Sequence, residues 1–255
     1  MEGVLAEQVV DLLERAPREG QLLRRQPGRV VRRVTARDGL PVILKTWVTH
    51  GFWEQLRRRV YGSGAEAEWA GLHLLDAAGI PAPRPLGRGR VRLGGATVEV
   101  VVSEDLGPLE TATRHASRRL AAGQSLEELD RDLIELTRAL LRVGLVDTDH
   151  GLHNVLLLRS GALARIDLEQ ARRSARPREG VRRYGGMLGA LLASYVFAVQ
   201  PEVDLAVDFA ERLQRELRPP LGAVRRARRR VELLLERQRA RCGIDTRVPF
   251  SPAWA

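Results

Sequence analysis

The chain has 255 residues, of which 44% are hydrophobic and 29% are charged, and a formal net charge of +10. This composition is globular, and the length is enough for one large domain or two lobes with their own cores. The single cysteine, Cys242, excludes an internal disulfide framework and fits a reducing compartment, so we expect a cytoplasmic protein.

The positive charge alone would suit a nucleic-acid-binding protein. Aromatic residues make up only 4% of the chain, however, and it has no zinc-finger or RNA-recognition signature. Nucleic acid is therefore the weaker expectation. An acidic substrate or an anionic membrane surface fits the charge equally well.

The first hundred residues have the patterns of strands and two helices. An amphipathic helix is predicted near residues 3–15, and its acidic start is unlike a secretory signal. Two strands are predicted on either side of Asp38-Gly39, a hairpin dipeptide, and residues 91–107 predict a second hairpin. Between the hairpins, helical spacing is shown by Trp69, Leu72, Leu75 and Ala78.

Helical patterns dominate from Ser125 onward. Ser125 and Glu128 predict a capping box at the start of a helix that closes at Gly144. Two short strands turning at Ser160-Gly161 follow, and helices are predicted from about Gly180. The apolar run that begins at Gly185 is shorter than the roughly 20 residues that a bilayer span needs, so we expect a buried helix there.

Strands followed by helices predict an α+β chain with two lobes. We expect a small β-rich lobe over residues 1–104 and a larger, mainly helical lobe over residues 105–255. The join is predicted between Glu104 and Gly107.

Lys45 is the only lysine among the 42 lysine and arginine residues, which leaves 41 arginines. A coding bias toward arginine would explain the 41 but not the exception. Lysine is a compact point charge on a flexible stem, whereas arginine is a planar fork. A site that needs the compact charge would therefore resist replacement of Lys45 by arginine.

Acidic and amide side chains cluster in the loop DTDHGLHN and just after the hairpin that follows it. Asp149 lies five residues before Asn154, and Asp167 lies thirteen residues after Asn154. A loop and a tight hairpin would bring these side chains together as hard oxygen ligands. Magnesium prefers such ligands and is usually held by one or two carboxylates together with substrate phosphates.

This arrangement resembles the catalytic and metal-binding loops of the protein-kinase-like fold. Lys45 matches that fold's phosphate-binding lysine, and Glu68, on the following helix, matches the glutamate that pairs with it. In that fold a strand follows the glycine-rich loop, and Gly28 precedes Lys45 by a spacing typical of the start of that strand. The segments GSGAEAEWAGLHLLDAAGIPAPRPLG, VVSEDL and DTDHGLHNVLLL are similar to blocks of the lipopolysaccharide core kinases, the Kdo and heptose kinase family. The resemblance covers about residues 20–175.

The resemblance implies a two-lobed kinase that uses ATP and magnesium. Asp149 would orient the attacking hydroxyl and accept its proton, and Asn154 and Asp167 would hold the metal ion. Lys45 would bind the ATP phosphates and be positioned by Glu68. The alternative partner of Lys45 is Glu66, and the adenine contacts would come from the backbone around Ser103, Glu104 and Asp105.

The catalytic loop departs from the kinase pattern at two positions. Asp147 stands where a histidine is usual, and Thr148 replaces an arginine, which argues against control by a phosphorylated activation loop. Asp147 is therefore an alternative base, but only Asp149 has an asparagine five residues later.

Other departures weaken phosphate binding and leave room for an inactive nucleotide-binding relative. The glycine-rich loop retains only Gly28, and Arg24 or Arg25 is an alternative phosphate contact. Glu169 stands where many kinases have glycine. His150 and His153, with the neighbouring aspartates, could instead be transition-metal ligands, but that interpretation leaves Lys45, Asn154 and Asp167 unexplained.

Arginines are dense in two segments of the second lobe: Arg172, Arg173, Arg176, Arg178, Arg182 and Arg183, and then Arg225, Arg226, Arg228, Arg229 and Arg230. They are either solvated helix faces or a cationic surface for an anionic sugar-lipid and for the inner face of the cell membrane. An exposed cation near an anionic bilayer contributes about 1 kcal/mol.

We therefore expect an ATP- and magnesium-dependent phosphotransferase whose acceptor is a hydroxyl of an anionic sugar or glycolipid. An atypical protein kinase and a catalytically silent nucleotide-binding scaffold are the alternatives.

Overall fold

The computed structural model describes residues 2–49, 62–93, 96–174 and 177–242. Within these ranges the chain is α+β, which confirms the predicted fold class. It divides into two compact units, Met1–Gly107 and Pro108–Ala255. The division falls at the end of the segment in which the join is predicted.

The first unit is an antiparallel sheet with two described helices. In chain order its elements are α1 (Glu2–Glu19), β1 (Gln21–Gln26), β2 (Arg29–Thr35), β3 (Pro41–Thr49), α2 (Gly64–Ala77), β4 (Pro85–Leu93) and β5 (Ala96–Glu104). The sheet order is β1-β2-β3-β5-β4, and every neighbouring pair is antiparallel. Both predicted hairpins and both predicted helices are confirmed. The fully exposed strand β1 was not predicted.

Helix α1 covers one face of this sheet. Its buried residues Val9, Leu12 and Ala16 pack in one apolar cluster with strand residues such as Val42 and Leu44. Val9 approaches the backbone of β4 so closely that a Cβ on Gly89 would lie 3.0 Å from its Cγ1 atom. Because side chains alternate along a strand, Lys45 of β3 points to the face opposite α1.

The second unit is mainly helical. Its elements are β6 (Glu110–Thr111), α3 (Ala112–Ala121), α4 (Glu127–Arg142), β7 (Leu145–Asp147), a 3₁₀ turn (Leu152–Asn154), β8 (Val155–Leu157), β9 (Leu163–Arg165), β10 (Ala171–Arg173), α5 (Pro177–Val199), α6 (Val203–Leu217) and α7 (Leu221–Cys242). Strands β6, β8 and β9 form one small sheet, and β7 pairs with β10. The predicted hairpin β8–β9 is confirmed.

The predicted capping box at Ser125 is wrong. Helix α4 begins at Glu127, its N-cap is Leu126, and the Ser125 hydroxyl accepts a hydrogen bond from Glu127 N at 3.1 Å. A capping box is present instead at α2, where the Ser63 hydroxyl accepts from Glu66 N at 3.0 Å and the Glu66 carboxylate accepts from Ser63 N. The apolar face of α4, which includes Leu129, Leu133, Leu136 and Leu140, is nevertheless buried, because a shift of the first helical turn leaves its spacing unchanged.

The predicted buried helix is α5, whose side chains from Met187 to Val199 are almost all inaccessible. In the part of the chain that the structure describes, no helix is both long and apolar enough to cross a membrane. Helix α5 lies very close to α7, since a Cβ on Gly185 would come within 2.5 Å of Arg226 Cβ, and one on Gly189 within 2.6 Å of Arg230 Cβ.

A buried polar network joins α4, α5 and α6. Tyr195 Oη donates to Asp130 Oδ1 at 2.5 Å, and Arg212 lies 3.8 Å from the other carboxylate oxygen. Burial raises the pKa of Asp130 to about 6 from its ordinary value of 3.8, although the bond from Tyr195 opposes the rise. The folded protein therefore holds a proton on Asp130 at a pH where the unfolded chain has released it.

Replacing Asp130 by asparagine keeps an oxygen that can accept the hydrogen bond from Tyr195, but it removes the titratable carboxyl group. Between about pH 4 and pH 6 the wild-type free energy of unfolding should fall as pH rises, relative to that of Asp130→Asn. Urea unfolding followed by circular dichroism at several pH values measures this difference. A difference that stays constant over the interval would contradict the assigned direction.

Candidate active site

Lys45 forms a buried ion pair within the first unit. Its Nζ atom lies 2.5 Å from Glu68 Oε1, and the two residues are 9% and 2% exposed. The strand β3 fixes the lysine between Val31 of β2 and Val101 of β5, and α2 supplies the glutamate. A buried charge is costly unless it is paired, so each residue requires the other.

The structure distinguishes between Glu66 and Glu68, the two candidate partners of Lys45. Glu66 is exposed and closes the capping box of α2, whereas Glu68 is buried against the lysine. Two residues of helix turn the side chain by about 200°, so Glu66 and Glu68 cannot occupy the same face.

The remaining residues predicted in the first unit have mixed environments. Gly28 has φ +71 in the turn between β1 and β2, and its carbonyl accepts from Val48 N at 2.8 Å. Ser103 is buried at the end of β5. The amide groups of Glu104 and Asp105 donate to Arg84 O and Pro41 O, so the predicted adenine contact would have to use other backbone groups of this segment.

The Asp105 side chain is committed to an ion pair. Its Oδ2 atom lies 2.5 Å from Arg33 Nε, and Oδ1 accepts from Gly107 N at 3.0 Å. These bonds fix the end of β5 and the turn after it. The predicted contact of Asp105 with adenine would therefore be made by its main chain.

In the second unit, Asp147 and Arg165 form an ion pair that is completely buried. The Arg165 guanidinium also donates to Asp149 O at 3.0 Å and to Asn154 O at 2.6 Å. Burial raises the pKa of the Asp147 carboxyl, and the charge of Arg165 opposes that rise. Asp147 therefore organises the loop, and its lack of exposure disfavours it as the alternative base.

Sequence reasoning missed Arg165. The signal that could have found it is Asp147 itself, because an acid placed in a buried position of the loop requires a cationic partner nearby. Arg165 lies two residues before Asp167, on the strand that pairs with β8, and this pairing directs its side chain beneath the loop.

Asp149 and Asn154 are hydrogen-bonded to each other. The Asn154 Nδ2 atom donates to Asp149 Oδ2 and to Asp149 O, both at 3.0 Å. Asp149 is half-buried, so its carboxylate is accessible while its orientation is fixed. Because both bonds use the amide nitrogen, the amide oxygen of Asn154 keeps its acceptor capacity for another ligand.

Asp167 lies beside Asn154, since Ile166 N donates to Asn154 O at 3.0 Å. Its φ of 59° is in the left-handed region, which is uncommon for a residue other than glycine. Such backbone strain concentrates at functional sites. An amide oxygen and a carboxylate at the same end of the β8–β9 hairpin are a donor set that fits magnesium.

The two histidines of the loop have different environments. His150 is fully buried, and its Nε2 atom bonds to the Thr137 hydroxyl at 3.0 Å. Because that hydroxyl donates to Leu133 O, Nε2 must carry the proton. Burial lowers the pKa of His150 well below its usual range, and His153 is exposed. Across the described residues, no three His, Cys, Asp or Glu side chains are grouped as metal ligands.

An antiparallel sheet with a buried Lys–Glu pair, and a helical unit with an Asp-x₄-Asn loop, a hairpin and an aspartate, define a chain of the protein-kinase-like class. Residues 14–183 match the Lipopolysaccharide kinase (Kdo/WaaP) family, and the chain belongs to this family. It is therefore a kinase, which transfers phosphoryl groups. No curated protein sequence matches the chain.

Arg165→Met should leave the Asp147 charge buried without its partner and lower the free energy of unfolding by about 3–5 kcal/mol. Adding Asp147→Asn should recover part of that loss, because the stranded charge is then gone. Urea unfolding of both single variants and the double variant measures the coupling. Strictly additive losses would mean that the pair does not act as a unit.

Proposed function

We propose that this kinase transfers the γ-phosphoryl group of ATP to a hydroxyl of a sugar or glycolipid of the lipopolysaccharide-core type. The observation that carries the proposal is the hydrogen bond that holds an accessible Asp149 carboxylate on Asn154, while the neighbouring Asp147 is buried on Arg165. One acid is thus available for chemistry, and the other maintains the loop.

Asp149 would act as the base. Its carboxylate would accept a hydrogen bond from the acceptor hydroxyl and take the proton as that oxygen attacks phosphorus. Positioned proton transfer of this kind contributes about 10²–10⁴-fold to a rate. The bond from Asn154 supports this role because it restricts the carboxylate to one orientation.

Lys45 would neutralise the ATP phosphates. Its compact ammonium group can approach oxygens of two neighbouring phosphates, and the bond to Glu68 keeps the side chain extended from β3. Asn154 and Asp167 would hold magnesium, which when bound neutralises charge on the phosphoryl oxygens. Gly28 and the main chain around Ser103, Glu104 and Asp105 would contact the nucleotide.

The family supports a sugar acceptor, and the positive charge supports an anionic one. Exposed arginines of the second unit, such as Arg173, could also attract the protein to the inner face of the cell membrane, where glycolipid acceptors are present. An atypical protein kinase and a silent nucleotide-binding scaffold are the competing functions. An atypical protein kinase would use a protein as the acceptor, and a silent scaffold would bind the nucleotide without turnover.

Asp149→Asn should reduce acceptor-dependent ADP release by at least about 100-fold and leave ATP affinity nearly unchanged, because the base is lost and the phosphate contacts remain. ADP release is measured with sugar-lipid, protein and small-alcohol pools as acceptors. Asp38→Asn, the same chemical change in the exposed β2–β3 turn, is the control. Turnover only with the protein pool would favour a protein kinase, and ATP binding without turnover in any pool would favour a scaffold.

Glu68→Gln should lower the turnover rate by at least about tenfold, or roughly 1.4 kcal/mol, because Lys45 loses its anionic partner. Glu66→Gln is a matched control, since it removes the same charge from the same helix and glutamine still completes a capping box. ADP release at saturating ATP measures both variants. Equal losses in the two variants would remove the Lys45–Glu68 pair from the mechanism.

A further inference from the structure

A cavity lies in the helical unit, beside the loop that carries Asp149. Its volume is about 470 Å³, and it is lined by Thr148, Gln170, Arg182, Arg183, Gly186, Arg226 and Arg230. Four of these lining residues are arginines and none is acidic. Among the other sequence-predicted arginines, Arg176 and the side chain of Arg178 lie outside the described residues. We call this cavity the arginine pocket.

The packing of α5 against α7 builds the pocket. Gly185 and Gly189 of α5 face the Cβ atoms of Arg226 and Arg230, at positions where any side chain would collide with them. Residues four apart lie on the same helix face. Arg226 and Arg230 therefore both pack against α5 through their Cβ atoms, and both side chains line the same cavity. Arg182 and Arg183 enter it from the first turns of α5.

The pocket wall includes the neighbours of both candidate active-site carboxylates. Thr148, which directly precedes Asp149, bonds through its hydroxyl to Gln170 Oε1 at 3.2 Å. Gln170 lies three residues after Asp167. Gly186 packs against Thr148, because a Cβ there would lie 3.2 Å from Thr148 Cγ2. The pocket is therefore lined by the residue that directly precedes Asp149 in the chain.

The described residues that line the pocket include no acidic side chain that could serve as an anion. Elsewhere on α7 the chain does supply one, as Arg228 pairs with Glu232 at 3.2 Å. Arg230 Nε, by contrast, is buried without a hydrogen-bond partner in the part of the chain that the structure describes. Several guanidinium groups converging on one cavity repel each other, and a bound anion would relieve this repulsion.

We propose that the arginine pocket binds a phosphate group already carried by the acceptor; this rests on the proposed function, which it deepens by naming the acceptor class. A phosphate monoester offers two negative charges and three oxygens to guanidinium forks, whereas a carboxylate offers one charge and two oxygens. The volume accommodates a sugar phosphate, because ligand cavities of about 300–1,000 Å³ are typical. The acceptor hydroxyl would then lie near an existing phosphate, so an earlier phosphorylation must supply this substrate.

The matched region of the family ends at residue 183, so α7, with Arg226 and Arg230, lies beyond it. The phosphate specificity proposed here therefore depends in part on Arg226 and Arg230, which the family match does not cover. The same helix also provides an internal control, because Arg225 and Arg229 are exposed and do not line the pocket.

The test compares Arg226→Gln/Arg230→Gln with Arg225→Gln/Arg229→Gln. Both double variants remove the same charge from the same helix, and glutamine keeps the Cβ and Cγ atoms that pack against α5. Titration calorimetry of the full chain without ATP uses glucose 6-phosphate, inorganic phosphate, glucose and acetate at matched ionic strength. We expect the pocket variant to bind glucose 6-phosphate at least about tenfold more weakly than wild type, and the control variant to bind it normally.

Vesicles of phosphatidylcholine with and without phosphatidic acid test whether the phosphate comes from a lipid or from a soluble sugar. Preferential loss of phosphatidic acid binding in the pocket variant would assign the lipid source. Equal phosphate affinity in the two double variants would overturn the proposal, and so would acetate binding as tight as phosphate. Because these binding measurements need no turnover, they stand or fall separately from the ADP-release experiment that tests the kinase itself.

Discussion

The helical unit depends on the buried ion pair between Asp147 and Arg165. Two charges removed from water are stable only when they are paired and further hydrogen-bonded, and here both conditions hold. The guanidinium also bonds to the main chain at Asp149 and Asn154, so one side chain ties together the two ends of the catalytic loop. Neutral His150, bonded to Thr137, fills the space under the same loop without adding charge.

This arrangement explains how the conformation of the loop is held without the usual histidine. An acid at that position would be a liability if it were free to compete with Asp149, but complete burial on Arg165 removes it from solvent. The loop therefore separates two aspartates two residues apart into a structural acid and an accessible one. Their environments, rather than their chemical identity, create the difference.

Arginine and lysine have separate uses in this protein. Arg165 uses its fork to reach four acceptors from one buried position, which the single ammonium group of a lysine does less well. Lys45 lies on β3, the central strand of the sheet, and its ammonium group forms a 2.5 Å ion pair with Glu68. The arginines on α5 and α7 are in a third kind of environment, because the packing of these two helices places four of them in the lining of the arginine pocket. The glycines of α5 make that close packing possible.

The sequence by itself determined the α+β class, the hairpins and the long helices. It also predicted the site residues Lys45, Glu68, Asp149, Asn154 and Asp167, and their roles stay a prediction. Local periodicity, turn dipeptides and motif spacing carry that information because they act over a few residues. It did not locate the start of α4, where backbone geometry shifted the N-cap from Ser125 to Leu126. Tertiary structure alone decided that Glu68 rather than Glu66 contacts Lys45, that Arg165 neutralises Asp147, and that arginines 43 to 48 residues apart in sequence share one pocket. These outcomes depend on which faces of distant elements meet, and burial of apolar surface fixes those faces only when the whole unit folds.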